Sequence, residues 1–165
     1  MEINIVLVSK ELELNEFDCG IPEMNIYLSR YAVRNTKKRI GNTFVAISGE
    51  NPQKPLGYYT VSMGQILFEE LPESMSKGLP RYPIPSFRIE KLAVDSSMQG
   101  KGLGELLLEN ALKKALQVSS DVAVYCILVD ALNQKAKDFY LKYSFLPLNN
   151  SDLTLYLPLD TLKQC

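Results

Sequence analysis

Residues 92–105 do most to limit the folds open to this 165-residue chain. Leu92-Ala93-Val94 reads as the end of a strand, Asp95-Ser96-Ser97-Met98 as a polar loop, and Gln99-Gly100-Lys101-Gly102-Leu103-Gly104 as the opening of a helix. Three glycines at alternate positions let the backbone turn tightly with no Cβ in the way. Their N–H groups can converge on one anion. The helix that follows adds its own free amide donors and the positive end of its dipole. The stretch reads as a pyrophosphate cradle set between a strand and a helix.

The flanking chain supplies matching elements. A weak alternation predicts a strand over 3–9. Pro22 suits a first helical turn, and Met24, Tyr27, Leu28 and Tyr31 continue an apolar stripe at helical spacing. Strands are predicted over 43–48 and 56–65 around a Pro/Gly-rich turn, as an antiparallel hairpin. Residues 68–76 allow one or two helical turns. Residues 79–85 hold three prolines and read as an extended surface connector rather than helix or central strand. Strand character resumes over 87–94, and a helix covers about 102–117. The unbroken apolar run 122–129 is what a parallel strand covered on both faces looks like. A helix over 131–143 and strands over 145–148 and 153–157 complete the pattern. The expected fold is a single-domain α/β protein over 1–165. Its mixed sheet has an antiparallel N-terminal half and a right-handed parallel crossover around the cradle.

A net charge of −1 excludes a globally basic nucleic-acid binder but leaves room for a local patch. Arg30, Arg34, Lys37, Lys38 and Arg39 are the densest positive charge. They read either as a solvated helix end favoured by the dipole or as a phosphate-contacting surface. Arg81, inside the proline connector, faces either a substrate or solvent. The absence of histidine excludes Ser-His-Asp and Cys-His catalysis and His-based zinc sites. Cys19, Cys126 and Cys165 are an odd set without metal-ligand spacing, so no metal is expected and reduced thiols of a cytoplasmic protein are. No apolar run approaches a membrane span, and Met1-Glu2-Ile3-Asn4 lacks the pattern of a signal peptide.

Three glycine-loop chemistries compete for the cradle. A P-loop needs Gly-Lys followed by Ser or Thr to hold magnesium, and here Gly102 follows. A dinucleotide fold needs G-x-G-x-x-G, and position 105 is Glu. The third pattern, [Gln/Arg]-x-x-Gly-x-[Gly/Ala], is met in full by residues 99–104. It is the pyrophosphate motif of the GNAT family of N-acetyltransferases, which the chain resembles over nearly its whole length. The resemblance implies the GNAT fold, with a splayed parallel strand pair and helices on both faces of the sheet. It implies acetyl-CoA held by Leu92, Ala93 and Val94 along the pantetheine and by Gln99, Gly100, Lys101, Gly102, Leu103 and Gly104 at the pyrophosphate. Asn133 and Tyr140 belong to the later family motif, in which a helix tyrosine lies beside the thioester sulfur. Tyr140 is then the expected general acid and the Val94 N–H the expected oxyanion donor. Ser144 stands where the family usually has glycine, at a position that needs a left-handed or tight turn.

Phe17-Asp18-Cys19-Gly20, Gly57-Tyr58-Tyr59-Thr60, the segment 79–85, Leu92-Ala93-Val94-Asp95 and Phe139-Tyr140 together resemble the toxin branch of this family. That implies acetylation of the α-amine of aminoacyl-tRNA, arrest of translation, a ribbon-helix-helix antitoxin as partner and a homodimer. Arg30, Arg34, Lys37, Lys38, Arg39, Arg81 and Lys91 are the candidate tRNA contacts. The toxins usually carry Gly-Arg before Leu-Ala-Val; here the pair is Glu90-Lys91. Lys91 offers a phosphate a point charge rather than a fork. An α-amine titrates near 7.7–8.0, so an acceptor of this class needs little help from a base. Glu90 is the spare carboxylate on the strand. Two other readings share the fold: an acetyltransferase of small amines or protein amino groups, and a non-catalytic CoA-binding regulatory module.

Overall fold

A computed structural model describes residues 1–163, so Cys165 lies outside the described residues. The chain divides into two compact units. The first comprises Met1–Ser62 with Glu90–Ala111, the second Met63–Ile89 with Leu112–Cys165. Strand order in the sheet is β1 (Ile3–Leu7), β2 (Asn42–Ser48), β3 (Gly57–Ile66), β4 (Ile84–Val94), β5 (Cys126–Asp130), β7 (Thr154–Pro158) and β6 (Leu146–Pro147).

The first unit opens with β1 (Ile3–Leu7), β2 (Asn42–Ser48) and the start of β3 (Gly57–Ile66), an antiparallel series with Val6 opposite Val45 and Val45 opposite Tyr58. Between β1 and β2 the chain forms α1 (Pro22–Ile26), a π turn (Tyr27–Tyr31) and α2 (Ala32–Lys37). The expected single helix is therefore interrupted: one turn is widened, Met24, Tyr27 and Leu28 keep the apolar stripe, and Tyr31 is left exposed. Leu28, Ala32, Val45 and Tyr58 are wholly buried in this core, with Phe17, Met24 and Ala93 packed beside them. The Tyr58 hydroxyl donates to the Met24 carbonyl at 2.7 Å, which satisfies its one polar atom in the core.

The second unit takes the rest of β3 and the first part of β4 (Ile84–Val94). It continues through α3 (Glu73–Ser76), β5 (Cys126–Asp130), α5 (Gln134–Leu141), β6 (Leu146–Pro147), β7 (Thr154–Pro158) and α6 (Leu159–Lys163). The helix α4 (Leu103–Ser119) begins in the first unit and ends in the second. β4 and β5 are parallel, Ser86–Ile89 against Cys126–Val129, while β7 is antiparallel to both β5 and β6. Ile66, Ile84, Cys126, Leu128 and Tyr156 form this unit's core.

Four expectations need correction. β4 starts inside the proline connector. Pro85 is accommodated near the strand's start because it offers only its carbonyl, which accepts from the Tyr125 N–H at 3.0 Å. The apolar run 122–129 enters the sheet only at Cys126. Asp121 and Val122 both donate to the Val118 carbonyl and finish α4 instead. The helix expected over 131–143 is α5 and starts at Gln134, because Asn133 caps it, its Oδ1 accepting from the Ala136 N–H at 2.9 Å. The short α6 was not foreseen, having too few residues to show a period. Among the described residues, no helix is long and apolar enough to cross a membrane.

Candidate active site

The cradle is built by long-range hydrogen bonds as much as by its own glycines. Pairing of β4 with β5 ends at Ile89 opposite Val129, so Glu90–Val94 continue without that neighbour. The Asp95 N–H donates to the Leu56 carbonyl at 2.8 Å, toward β3. Successive peptide groups of an extended chain point to opposite sides. The Val94 carbonyl and N–H therefore face the side where β5 is absent. The strand also contains an irregularity. The Pro85 carbonyl faces β5, so the Ser86 N–H faces β3, as does that of Asp95, an odd number of residues away. A regular strand would alternate these, so β4 carries a one-residue bulge between them.

Asp95 then fixes the loop. Its Oδ1 accepts from the Asp18 N–H at 2.9 Å, and its Oδ2 accepts from the Ser97 N–H at 3.1 Å and the Ser97 hydroxyl at 2.6 Å. Burial alone would raise this carboxyl's pKa, but the Ser97 and Asp18 hydrogen bonds and the Lys54 charge outweigh it and hold it below the ordinary value. The Asp18 carbonyl in turn accepts from the Ser96 N–H at 2.8 Å and the Ser96 hydroxyl at 3.0 Å. Gln99 closes the latch: its Nε2 donates to the Cys19 carbonyl at 3.1 Å and to the Val94 carbonyl at 2.9 Å. Phe17-Asp18-Cys19-Gly20 is thus a brace for the cradle. Asp18, Asp95 and Ser96 are site residues that sequence reasoning missed, since their partners lie 77 or 78 positions away.

Gly100 and Gly102 adopt φ of 77° and 87°, the left-handed region that glycine enters without strain. A Cβ on either would meet nothing within 4 Å, so glycine supplies conformation there rather than room. The Gly102 carbonyl accepts the Leu106 N–H, leaving the amides of Leu103, Gly104 and Glu105 without a carbonyl one turn back. Two left-handed turns followed by free helix-terminal amides are a donor set for an anion. It fits the pyrophosphate of acetyl-CoA.

Glu90 is partly buried, and its Oε2 has no hydrogen-bond partner. Gly41 leaves room for it: a Cβ there would lie 3.1 Å from that oxygen and 3.7 Å from the Tyr27 hydroxyl. The Lys91 ammonium lies 4.2 Å from the centre of the Tyr27 ring, and Arg34 lies 5.3 Å from that of Tyr31. Arg30, Lys37, Lys38 and Arg39 are exposed in the same unit. A cavity of about 440 Å³ lined by Lys10, Leu12, Glu16, Ser29 and Val33 contains none of the candidate residues.

The second unit holds Arg81, Asn133 and Tyr140. Arg81 stacks its guanidinium 5.2 Å from the Phe68 ring centre. Asn133 is the cap of α5 described above. Tyr140 is 4% exposed, edge-on to Phe139 and Phe145 at 5.3 and 5.5 Å. Burial, with the Asp130 charge adding to it, pushes its phenol above the ordinary value, so it is held as a neutral proton donor. The Asp130 carboxylate is paired with Arg88 and accepts from the Thr154 hydroxyl. Burial also raises the thiols of Cys19 and Cys126, the latter to about 12, so neither is a ready nucleophile. Ser144 has φ of 73°, the left-handed turn expected of it. Among the described residues, no group of three or more His, Cys, Asp or Glu is placed to hold a metal ion.

The "tRNA-acetylating toxin" of Mycobacterium tuberculosis (strain ATCC 25618 / H37Rv) is 28% identical over 138 residues, covering 84% of this chain and 81% of that protein. AtaT complexed with acetyl-methionyl-tRNAfMet superposes with a TM-score of 0.92 at 29% identity, over 99% of this chain and 98% of that one. A mutant AtaT toxin bound to the C-terminus of the antitoxin AtaR and acetyl-CoA gives 0.83 at 26%, over 98% and 96%. Residues 22–145, which contain the strand end, the cradle and the tyrosine helix, match the acetyltransferase (GNAT) family, and the chain belongs to it.

Proposed function

We propose that this protein transfers the acetyl group of acetyl-CoA to the α-amine of aminoacyl-tRNA, and so stops translation. The observation that carries this is the likeness, over almost the whole chain, to AtaT complexed with acetyl-methionyl-tRNAfMet. The chain's own residues support it. Residues 24–49 contain five Lys or Arg and no Asp or Glu. Among the described residues none of those five is in an ion pair. The reading takes 1–165 as one N-acetyltransferase domain, working in the cytoplasm as a homodimer with a ribbon-helix-helix antitoxin as partner.

Acetyl-CoA supplies an acetyl thioester at the end of β4. The amides of residues 99–104 hold the pyrophosphate, and the edge of Leu92–Val94 aligns the pantetheine, which fixes the thioester's position. The Val94 N–H, turned to the unpaired side of β4, donates to the oxygen that gains charge during attack. As the C–N bond forms and the C–S bond breaks, the nitrogen releases its proton to water, and Tyr140 donates its own proton to the departing sulfur and recovers one from water, or donates a hydrogen bond that stabilises the thiolate until water protonates it. About a quarter or more of an acceptor amine that titrates near 7.7–8.0 is already neutral at about pH 7.5 without a protein base. Arg30, Arg34, Lys37, Lys38, Arg39, Arg81 and Lys91 are the tRNA contacts of this reading.

The test is transfer of labelled acetyl groups to charged tRNA by the purified protein. Labelled N-acetyl-aminoacyl-tRNA is expected. Absence of product with every charged tRNA, while small amines are acetylated, would overturn the reading.

A further inference from the structure

Flat groups form a ladder along the first helical segment. Buried Tyr58 stacks on Tyr27 with ring centres 6.4 Å apart and planes 14° apart. Tyr27 stacks on Tyr31 at 6.3 Å and 28°. Arg34 lies over Tyr31, and Lys91 over Tyr27. Tyr58 and Tyr27 serve the core, but Tyr31 is 41% exposed and is not among the residues packed on that core. The segment that holds Tyr27 and Tyr31 is the π turn, a rare geometry that concentrates at functional sites.

We propose that Tyr31 and Arg34 form a stacking platform for the base of the 3′-terminal nucleotide of the tRNA acceptor strand. The inference rests on the function proposed above and names the contact that places the reacting nucleotide. Three observations select this occupant. An exposed aromatic beside a guanidinium is the chemistry that stacks an unpaired base. The surrounding stretch, 24–49, is free of acidic residues, which suits a polyanion. Lys91 ties the ladder to β4 three residues before Val94, about 10 Å of strand. The ladder so joins the stacking face to the strand that ends at the thioester, as an aminoacylated nucleoside requires, since its amine must reach the thioester while its base rests elsewhere.

The experiment measures binding of uncharged tRNA, and of the same tRNA lacking its terminal nucleotide, across a series of salt concentrations. Tyr31→Ala should weaken the intact tRNA about tenfold or more, leave the shortened tRNA unchanged and keep the salt slope. Tyr31→Phe should retain wild-type affinity for both, since the ring does the stacking. Arg34→Ala, a second route should Tyr31→Ala fold poorly, should likewise weaken the intact tRNA and leave the shortened tRNA unchanged. Equal loss on both tRNAs, or loss on neither, overturns the platform. If wild type acetylates charged tRNA while Tyr31→Ala binds normally, the platform alone falls. If wild type neither binds nor acetylates any tRNA, the proposed function falls with it.

Discussion

Two single residues show how environment sets a role. Tyr140 is a phenol whose ordinary value, near 10, is pushed upward by burial and by the Asp130 charge. A neutral phenol is the form that donates, so raising its pKa extends the active form to higher pH. The acceptor amine works in the opposite sense, gaining activity as it deprotonates between about pH 7 and 8. The kcat profile should therefore rise through that range and stay flat to about pH 10, with no falling limb below it. A falling limb near pH 8–9 would remove Tyr140 as the proton donor. Tyr140→Phe should lower kcat by about 10²-fold or more with little change in the KM for acetyl-CoA. Asp95 is the structural counterpart. Its folded-state pKa is depressed, so the stability it contributes is present above the unfolded value, near 3.9, and is lost as pH falls through the folded value. Asp95→Ala leaves the Asp18 and Ser97 donors unpaired and should cost about 2 kcal/mol, some 4–8 °C in Tm, at pH 7. The difference from wild type should shrink as melting is repeated at successively lower pH below the unfolded value.

At the level of elements, the strand, loop and helix around the cradle were legible because their signals are local. Glycine at 100 and 102 answers a backbone need that can be read without a partner. The brace was not legible. Nothing near Asp18 states that its amide and carbonyl serve Asp95 and Ser96 far along the chain. The π turn was hidden for a related reason. Met24, Leu28 and Ala32 keep helical spacing through it, and burial of that stripe, not the sequence period, decides where the extra residue is absorbed. The start of β4 was misread because proline was weighed by its missing donor, while Pro85 is used there only as an acceptor. The end of α2 makes a different point. Arg39 adopts φ of 62° just past the helix, where glycine is the usual residue. A side chain there costs about 1 kcal/mol. Arg39→Gly should therefore raise Tm by about 2–4 °C while weakening tRNA binding. A variant that gains stability and keeps full tRNA affinity would show that Arg39 contacts no phosphate. Ser144→Gly should show the same gain in stability without the loss of affinity, since its left-handed turn lies at the end of α5, outside the cationic stretch.

At the scale of the molecule, a net charge of −1 conceals a segregated distribution. Glu11, Glu13, Glu16, Asp18 and Glu23 crowd one stretch, and five cations follow between 30 and 39 with no acid until Glu50. Screening at physiological salt acts over about 8 Å, so an approaching polyanion meets the local field rather than the sum. The division of labour follows from this. The proposed pyrophosphate cradle offers backbone amides, whereas the proposed tRNA surface depends on side-chain charge. The two affinities should therefore separate. Replacing Lys37 and Lys38 together by Ala should weaken tRNA binding and make the log–log salt dependence shallower by about 1.5. Acetyl-CoA affinity, measured by titration calorimetry on the same protein, should stay unchanged. Replacing Lys135, an exposed lysine on α5, should alter neither quantity. A change of slope about half as large from Lys135→Ala, the same per charge removed, would mean that the binding charge is spread over the whole surface, and residues 30–39 would lose their claim to be the tRNA contact. A fall in acetyl-CoA affinity in the Lys37/Lys38 variant would instead mean that the same cations serve the cofactor's phosphates, and the separation argued here would fail.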